Sequence, residues 1–307
     1  MNNKKKENKA IDATLKSMDT EEWIDLLFYR PLGYRWALLF ERLGITPNTV
    51  SLLSIVLGMT GGFLFFFTDV QINIIGMFLI VWANTYDSAD GQLARMTKNF
   101  SPIGRILDGF CGDLWFFAIY FAICMRLTPQ WGIWIWILAA ATGWFHTKQA
   151  QMADYIRNFH LLFVKGGKTN SFDDYKTLKK QYESMSWKND FVVKLFTHFY
   201  LPYTKGQEKR TPKLQAFRQT MHQKFGEEAP PLAFREAFRA ASKPMMKYTN
   251  ILTFNIRTIA LFVSLLIGEP WLYFVFEITV LNALLIYLLL SYEKICQRFD
   301  LRLRGDA

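Results

Sequence analysis

The chain has 307 residues, of which 51% are hydrophobic and 17% aromatic, and its 36 Lys and Arg against 26 Asp and Glu leave a net charge of +10. This apolar content excludes a disordered chain, and its clustering into long runs excludes an ordinary soluble domain. A helical run of about 20 apolar residues crosses a hydrocarbon core of roughly 30 Å. The sequence therefore predicts an all-α, polytopic membrane protein.

Residues 1–46 are predicted to form an N-terminal cytoplasmic segment that lies on the membrane surface. Between Asp19 and Gly44 the pattern is amphipathic, because Glu22 follows Asp19 at the spacing of a capping box and Trp23 begins an apolar face. Pro31 is expected to divide this segment into two interfacial helices.

Six apolar stretches are candidate transmembrane helices. In chain order they lie near 48–68, 70–86, 106–125, 131–150, 250–268 and 270–291. Thr46 and Pro47 supply an N-cap and a first helical residue for the first of them. The second stretch is short and contains Asn84, and the third contains acids, so both assignments depend partly on the other four.

The distribution of Lys and Arg supports the six-helix topology. Basic residues concentrate in the N-terminal segment, at 87–105, at 151–249 and at the C-terminus, whereas the alternate loops carry only Arg126. Since Lys and Arg near span ends stay in the cytoplasm, both termini and the 87–105 connection are predicted to face it. In a bacterium the membrane would be the cytoplasmic membrane.

A long polar block at about 153–249 interrupts the transmembrane domain, which is predicted to cover 47–307. Its charge is typical of helices with a solvated face near anionic headgroups, so we expect a cytoplasmic helical insertion. No nucleic-acid motif accompanies the basic charge, and a nucleic-acid partner is not expected.

Four aspartates lie where the second and third spans meet the cytoplasm: Asp87, Asp90, Asp108 and Asp113. An ionisable residue at the edge of a span is costly unless it is paired or binds a metal. On a helix Asp87 and Asp90 share a face, and Asp108 lies near them if the two spans pack through a short connection. A divalent cation would relieve their repulsion, and carboxylate oxygens suit Mg²⁺ or Mn²⁺.

Small and basic residues accompany these acids. Gly91, Ala94 and Gly104 leave the backbone open where a ligand or a neighbouring helix approaches. Arg95 offers a planar fork of donors that matches a phosphate. Together with the acids, these residues predict a site where a metal ion and an arginine neutralise a diphosphate.

This stretch resembles the signature of the class I CDP-alcohol phosphatidyltransferases, D-x2-D-G-x2-A-R, then about eight residues, then G-x3-D-x3-D. The positions that match in identity and spacing are Asp87, Asp90, Gly91, Ala94, Arg95, Gly104 and Asp108. The run TPNTVSLLS at 46–54 also resembles the family's entry into its first span, and six spans with cytoplasmic termini fit its fold.

The resemblance implies a transferase of phospholipid synthesis, in which an alcohol attacks the β-phosphorus of a CDP-linked lipid and CMP leaves. Membrane lipids would surround the site, and a homodimer is the implied assembly. The acids would hold the metal ions. Gly91, Ala94 and Gly104 would lie around the CDP, and Arg95 would steady a phosphate.

One position departs from the family's pattern. The last aspartate of the signature should follow Asp108 by four residues, but Gly112 stands there and Asp113 comes one residue later. Five residues along a helix turn a side chain away by about 140°. A π-bulge near 109–112 would return Asp113 to the site as fourth metal ligand or general base. Without such a bulge, the site has lost its fourth acid and is altered or inactive.

The acceptor is indicated only by three basic residues. Arg257 lies inside the fifth span, and Lys148 and Arg157 lie at the end of the fourth. Together they would bind an anionic acceptor such as inositol phosphate or glycerol phosphate, with inositol or an amino alcohol as the alternatives. Arg257 is alternatively the partner of a site aspartate or of a lipid phosphate.

Two other classes of function compete with the transferase. A transporter would carry acids in two symmetry-related halves, whereas here they cluster on one helix pair and Glu277 is the exception. A pseudoenzyme would keep the degenerate site for lipid binding.

Overall fold

A computed structural model describes the backbone at residues 17–167 and 174–305, without the side chains at 102, 103, 105, 106, 108 and 109. Residues 168–173 of the predicted insertion lie outside this description. Within the described ranges the chain is helical and contains no strand, which confirms the all-α prediction.

Twelve α-helices can be followed through the described ranges, joined by short turns. They are α1 (Arg30–Arg42), α2 (Pro47–Phe63), α3 (Val70–Thr97), α4 (Pro102–Trp131), α5 (Trp134–Lys165), α6 (Tyr175–Ser184), α7 (Phe191–Arg210), α8 (Pro212–Phe225), α9 (Leu232–Ile251), α10 (Phe254–Ile267), α11 (Trp271–Phe276) and α12 (Asn282–Arg304). A π-helical turn, Asp25–Tyr29, precedes α1, and a second, Glu277–Leu281, joins α11 to α12.

The N-terminal segment is one helix rather than the two that Pro31 was expected to separate. Helical structure begins at Trp23 and passes through the π-helical turn into α1. Proline lacks an N–H and its ring crowds the carbonyl of the preceding turn, and a widened turn accommodates both effects. Trp23 and Leu27 lie on the exposed side of this helix, at 70% and 73% exposure.

Among the residues that the structure describes, four helical stretches are long and apolar enough to cross a membrane: Pro47–Phe66, Phe110–Trp131, Leu232–Ile267 and Trp271–Arg304. They overlap the first, third, fifth and sixth predicted spans, so the polytopic character is confirmed. The second and fourth predicted spans fall in α3 and α5, which are 28 and 32 residues long. The count of six stays a prediction.

The chain divides into two compact units along boundaries other than the predicted domains. The first unit holds the described residues up to Phe145 together with Phe254–Thr279, and the second holds His146–Thr253 and the residues from Val280 onward. The N-terminal segment thus belongs to the same unit as α2, α3 and α4.

In the first unit α2 packs closely against both α3 and α4, because small residues line its contact faces. A Cβ on Gly61 would lie 2.8 Å from the carbonyl oxygen of Gly76 in α3. A Cβ on Gly58 would lie 2.2 Å from the ring of Trp115 in α4, and that indole donates to the Ser54 carbonyl at 3.1 Å. This packing holds α3 and α4 against a common neighbour.

The second unit has an aromatic core. Phe163 of α5 stacks on Phe238 of α9 with ring centroids 4.0 Å apart, and Phe217 and Phe299 contact the same ring. Glu293 of α12 accepts the first free backbone N–H groups of α8, from Lys213 at 2.8 Å and Leu214 at 2.9 Å. The described part of the predicted insertion is therefore a packed helical structure.

Candidate functional site

Asp87 and Asp90 lie on a single helix, as predicted. Helix α3 begins at an Asp69 cap, whose carboxylate accepts from the N–H groups of Gln71 and Ile72, and it continues to Thr97. Lys98 ends it in the left-handed conformation, with φ 54°. The two acids are three residues apart and project from the same face of this helix.

Asp90 is a buried carboxylate, with 4% of its surface exposed. It accepts a hydrogen bond from the hydroxyl of Ser51 in α2, which is itself 3% exposed. A hydrogen-bond donor aimed at a buried carboxylate stabilises the ionised form. The close packing of α2 on α3 thus holds one acid of the site at a fixed position.

Asp87 is half-buried and faces α4. Its Oδ1 accepts from the Sγ of Cys111 at 2.7 Å. Cys111 is buried, with 2% of its surface exposed, and all three cysteines of the chain are free thiols. This contact brings the segment of α4 that follows Asp108 against the acidic face of α3.

The start of α4 is held to the start of α2. Ser101 caps α4 by accepting from the Gly104 N–H at 2.8 Å, and its hydroxyl donates to Asn48 Oδ1 at 3.0 Å. A Cβ on Gly104 would lie 2.5 Å from that oxygen, so only glycine permits this approach. Four residues, 98–101, join α3 to α4, which confirms the expected short connection.

The bulge expected between Asp108 and Asp113 is absent, and that expectation is wrong. Helix α4 is α-helical from Pro102 to Trp131, through the whole 108–113 segment. Position 112 therefore shares a face with position 108, whereas Asp113 is turned from it by about 140° and is exposed. A Cβ on Gly112 would meet no atom within 4 Å. The side chain of Asp108 lies outside the description.

Arg95 folds back along α3 over Gly91. A Cβ at position 91 would lie 3.4 Å from one guanidinium nitrogen, which is an ordinary van der Waals contact. Gly91, Ala94, Arg95 and Gly104 are all partly exposed. The predicted phosphate and CDP positions thus lie at an accessible edge of α3 and α4.

A polar cluster ties the N-terminal segment to the first unit. Asn255 of α10 donates to Glu22 at 2.9 Å and to Asp25 at 3.0 Å. Burial raises the pKa of Tyr29, the charges of Asp25 and Glu22 raise it further, and a hydrogen bond with Asn84 opposes them. Tyr29 therefore stays a neutral phenol. Its hydrogen-bond partner Asn84 lies in α3, one turn before Asp87.

Arg257, one of the three predicted acceptor ligands, is engaged within the first unit. Its Nη1 lies 2.8 Å from Oε1 of Glu277, and the two side chains are 1% and 0% exposed. The hydroxyls of Tyr120 and Tyr273 also donate to Glu277. Glu277 is thus a buried partner of Arg257.

Lys148 and Arg157 are the other two predicted acceptor ligands. They lie on the part of α5 that belongs to the second unit. Lys148 is half-exposed, and Arg157 donates from Nη2 to Asn250 Oδ1 at 2.9 Å.

The acids fit a divalent cation by their chemistry. Asp87 and Asp90 offer carboxylate oxygens on one helix face, and each carboxylate is oriented by a donor from a neighbouring helix. Among the described side chains no group of three His, Cys, Asp or Glu is close enough to hold a metal, and Asp108 is not among them. Hard oxygen donors of this kind suit Mg²⁺ or Mn²⁺.

Sequence reasoning missed three residues of this site: Ser51, Asn48 and Cys111. Ser51 and Asn48 lie in the TPNTVSLLS run, which the sequence predicted to begin the first span. No contact was predicted for either residue. Cys111 was assigned no role from the sequence. Its place between Asp108 and Gly112 was the available signal.

Together the fold and the site define an integral membrane protein with an acidic, phosphate-compatible site on two adjacent helices. Residues 44–155 match the sequence model of the CDP-alcohol phosphatidyltransferase family, and this range includes every signature residue. Residues 44–155 of this chain are therefore similar to the CDP-alcohol phosphatidyltransferase family.

Two curated relatives match over shorter stretches. The "Bifunctional IPC transferase and DIPP synthase" of Aquifex aeolicus (strain VF5) is 30% identical over 98 residues, which are 32% of this chain and 22% of that protein. The "Uncharacterized CDP-alcohol phosphatidyltransferase class-I family protein 2" of Dictyostelium discoideum is 38% identical over 71 residues, 20% of this chain and 17% of that protein. The chain thus spans about a fifth of the length of the curated relatives it matches.

Proposed function

We propose that this protein is a CDP-alcohol phosphatidyltransferase that moves a phosphatidyl group from a CDP-linked lipid to a small alcohol. The observation that carries the proposal is the pair Asp87 and Asp90 on one face of α3, each fixed by a donor from another helix. The pair lies inside the region that matches the family.

In the proposed reaction an acceptor hydroxyl oxygen forms a bond to the β-phosphorus of the donor. The bond from that phosphorus to the bridging oxygen breaks, and CMP leaves with this oxygen. The hydroxyl proton passes to a base. Such a reaction depends mainly on positioning and on neutralising phosphate charge.

The chain's residues divide this work. Asp87, Asp90 and Asp108 would hold the divalent cation, Mg²⁺ or Mn²⁺, and Ser51 and Cys111 orient two of these carboxylates. When bound, such a cation neutralises phosphate charge and stabilises the attacking and leaving oxygens. Arg95 lies at the accessible edge of α3, where it steadies a phosphate, and the small residues beside it leave room for the cytidine.

The general base remains open in this proposal, because Asp113 does not share a face with Asp108. The regular course of α4 gives no support to Asp113 as fourth metal ligand or base. Substitution of Asp113 therefore tests whether this residue is the general base.

A polyol of the inositol type is the acceptor that we favour, in keeping with the name of the Aquifex relative. Lys148, Arg157 and Arg257 are the basic candidates for binding a phosphate on such an acceptor. Arg257 is the weakest of them, because its charge faces Glu277 in a buried pair.

The proposed setting is a membrane with the site on its cytoplasmic side, where the acyl tails of the donor stay in lipid. The basic residues that flank the acidic stretch support this orientation. A homodimer is the assembly that we expect.

The proposal is tested by reconstituting the purified protein with CDP-diacylglycerol and measuring CMP release. Inositol, inositol phosphate, glycerol phosphate and an amino alcohol are offered in turn, with a reaction lacking acceptor as the control. We expect Mg²⁺- or Mn²⁺-dependent CMP release that requires one of the polyols. CMP release that no acceptor stimulates would contradict the proposal.

A non-catalytic lipid-binding role is the second candidate, and Gly112 favours it, since the fourth acid of the signature is missing there. This role predicts CDP-lipid binding without turnover. A transporter gains no support from the structure. Glu277, the acid outside the helix pair that a transporter would use, is bound to Arg257.

A further inference from the structure

Helix α7 (Phe191–Arg210) has its polar side turned inward. The side chains that it buries are those of Lys194, Thr197, Thr204 and Gln207. On the opposite side Phe191 is 56% exposed and Phe199 is 63% exposed. A surface helix in water shows the reverse arrangement, with its apolar stripe toward the core.

The inward polar side chains make hydrogen bonds, which stabilise the helix with its polar side turned inward. Lys194 Nζ donates to the Met185 carbonyl at 2.6 Å and lies 4.9 Å from the ring centre of Tyr182. Gln207 donates to the Gln151 carbonyl at 3.0 Å. Because Lys194 is held inside, no charge interrupts the outer side between Phe191 and Phe199.

The exposed apolar side forms a concentrated patch at the start of α7. Its members are Trp187, Phe191, Val192, Val193, Leu195 and Phe199. Single exposed apolar residues are ordinary, but a run of six large ones within 13 positions marks a surface that another apolar phase covers.

The charges around this patch favour an anionic partner. Residues 174–210 hold eight Lys and Arg against four Asp and Glu. Three of these acids accept backbone N–H groups, namely Asp174, Asp190 and Glu208, and the fourth, Glu183, lies 3.7 Å from Lys179. Exposed lysines stand on both sides of the patch, among them Lys188, Lys205 and Lys209.

We propose that α7 lies in the interfacial layer of an anionic bilayer, with its apolar patch among the upper acyl chains and the flanking lysines at the headgroups. Aromatic and aliphatic residues on one side, with lysines beside them, are typical of helices that bind this layer. The four apolar stretches of the same chain keep a bilayer within reach of every copy. The sequence predicted helices at 153–249 with a solvated face near anionic headgroups.

The test uses the full chain in vesicles of phosphatidylcholine and phosphatidylglycerol, in which some of the phosphatidylcholine carries bromine on its acyl chains. A bimane label is attached to Phe199→Cys, and to Lys209→Cys as the matched control at the polar end of α7. The native cysteines are buried, and unsubstituted protein measures their background labelling. Quenching by the brominated lipid is compared with quenching by aqueous iodide.

We expect the label at 199 to lose emission to brominated lipid and to be protected from iodide, while the label at 209 is quenched by iodide. The loss at 199 should weaken when phosphatidylglycerol is omitted. Iodide quenching at 199 as strong as at 209 would overturn the proposal. Disulfide cross-linking between two Phe199→Cys chains, or shielding from both quenchers, would also overturn it, because the patch would then contact protein.

Discussion

The Asp90 carboxylate accepts from Ser51 while only 4% of its surface is exposed. Burying a carboxylate without a hydrogen-bond partner is expensive, so the Ser51 hydroxyl helps to hold Asp90 at this depth. Ser51 does not belong to the acidic signature, yet its helix, α2, sets the position of the acid. We regard it as a positioning residue.

Replacing Ser51 with Ala is therefore expected to weaken the site without removing an acid. Loss of an outer partner of a metal ligand typically costs about 10–100-fold in metal affinity or activity. The Mg²⁺ concentration needed for half-maximal CMP release should rise in Ser51→Ala and recover in Ser51→Thr, which keeps the hydroxyl. An unchanged Mg²⁺ dependence in Ser51→Ala would contradict this role.

Asp113 and Gly112 give a second test at this scale. Because Asp113 is turned about 140° from Asp108 on a regular helix, we expect Asp113→Asn to leave CMP release nearly unchanged. Loss of a general base typically costs about 10²–10⁴-fold. A fall of that size would mean that α4 rearranges when substrate binds and that Asp113 is the base.

Gly112→Asp is the matched substitution at the neighbouring position. A side chain there enters open space on the face of Asp108, so the protein should fold and gain an acid at the site. We expect its CMP release to exceed that of the unsubstituted protein.

Helices, rather than single residues, decide which of the sequence predictions hold. Asp87 and Asp90 could be placed on one face because the period of a helix fixes the positions i and i+3. The contacts of Ser51 and Cys111 could not be predicted, because they depend on how closely α2, α3 and α4 approach. The small residues on α2 set that approach, and a sequence does not tell which helix faces them.

Arg257 and α7 show what the sequence pattern leaves undetermined. An arginine within a span demands a partner, but the pattern does not name it, and one partner, Glu277, lies 20 residues further along the chain. In α7 the polar side chains pack inward, which the charge pattern of 153–249 does not indicate. Both features depend on tertiary contacts, which periodicity does not encode.

The Arg257 and Glu277 pair predicts a stability effect at the scale of the element. Glu277→Gln removes the buried charge that faces the Arg257 guanidinium, and breaking such a pair costs about 3–5 kcal/mol. The midpoint of thermal unfolding in detergent should fall, and Arg257→Gln combined with Glu277→Gln should restore much of the loss. If the single and double variants melt alike, the two charges do not stabilise each other.

Across the whole molecule, the domain at 44–155 supplies the acidic site, while the helices that follow it have a packed aromatic core and an inside-out surface helix. The signature thus accounts for only part of the chain. The signature predicts the chemistry, whereas we propose that one of the later helices, α7, lies at the membrane surface.

The most direct test of the account is acceptor-dependent CMP release by Asp90→Asn. Asparagine keeps the size of the side chain but removes the buried charge that we assign to metal binding. We expect the rate of CMP release to fall by about 100-fold or more, which is beyond the cost of losing an outer partner such as Ser51. The midpoint of thermal unfolding should change little. CMP release at the unsubstituted rate would contradict the central claim that the acids of α3 hold the reacting diphosphate through a cation.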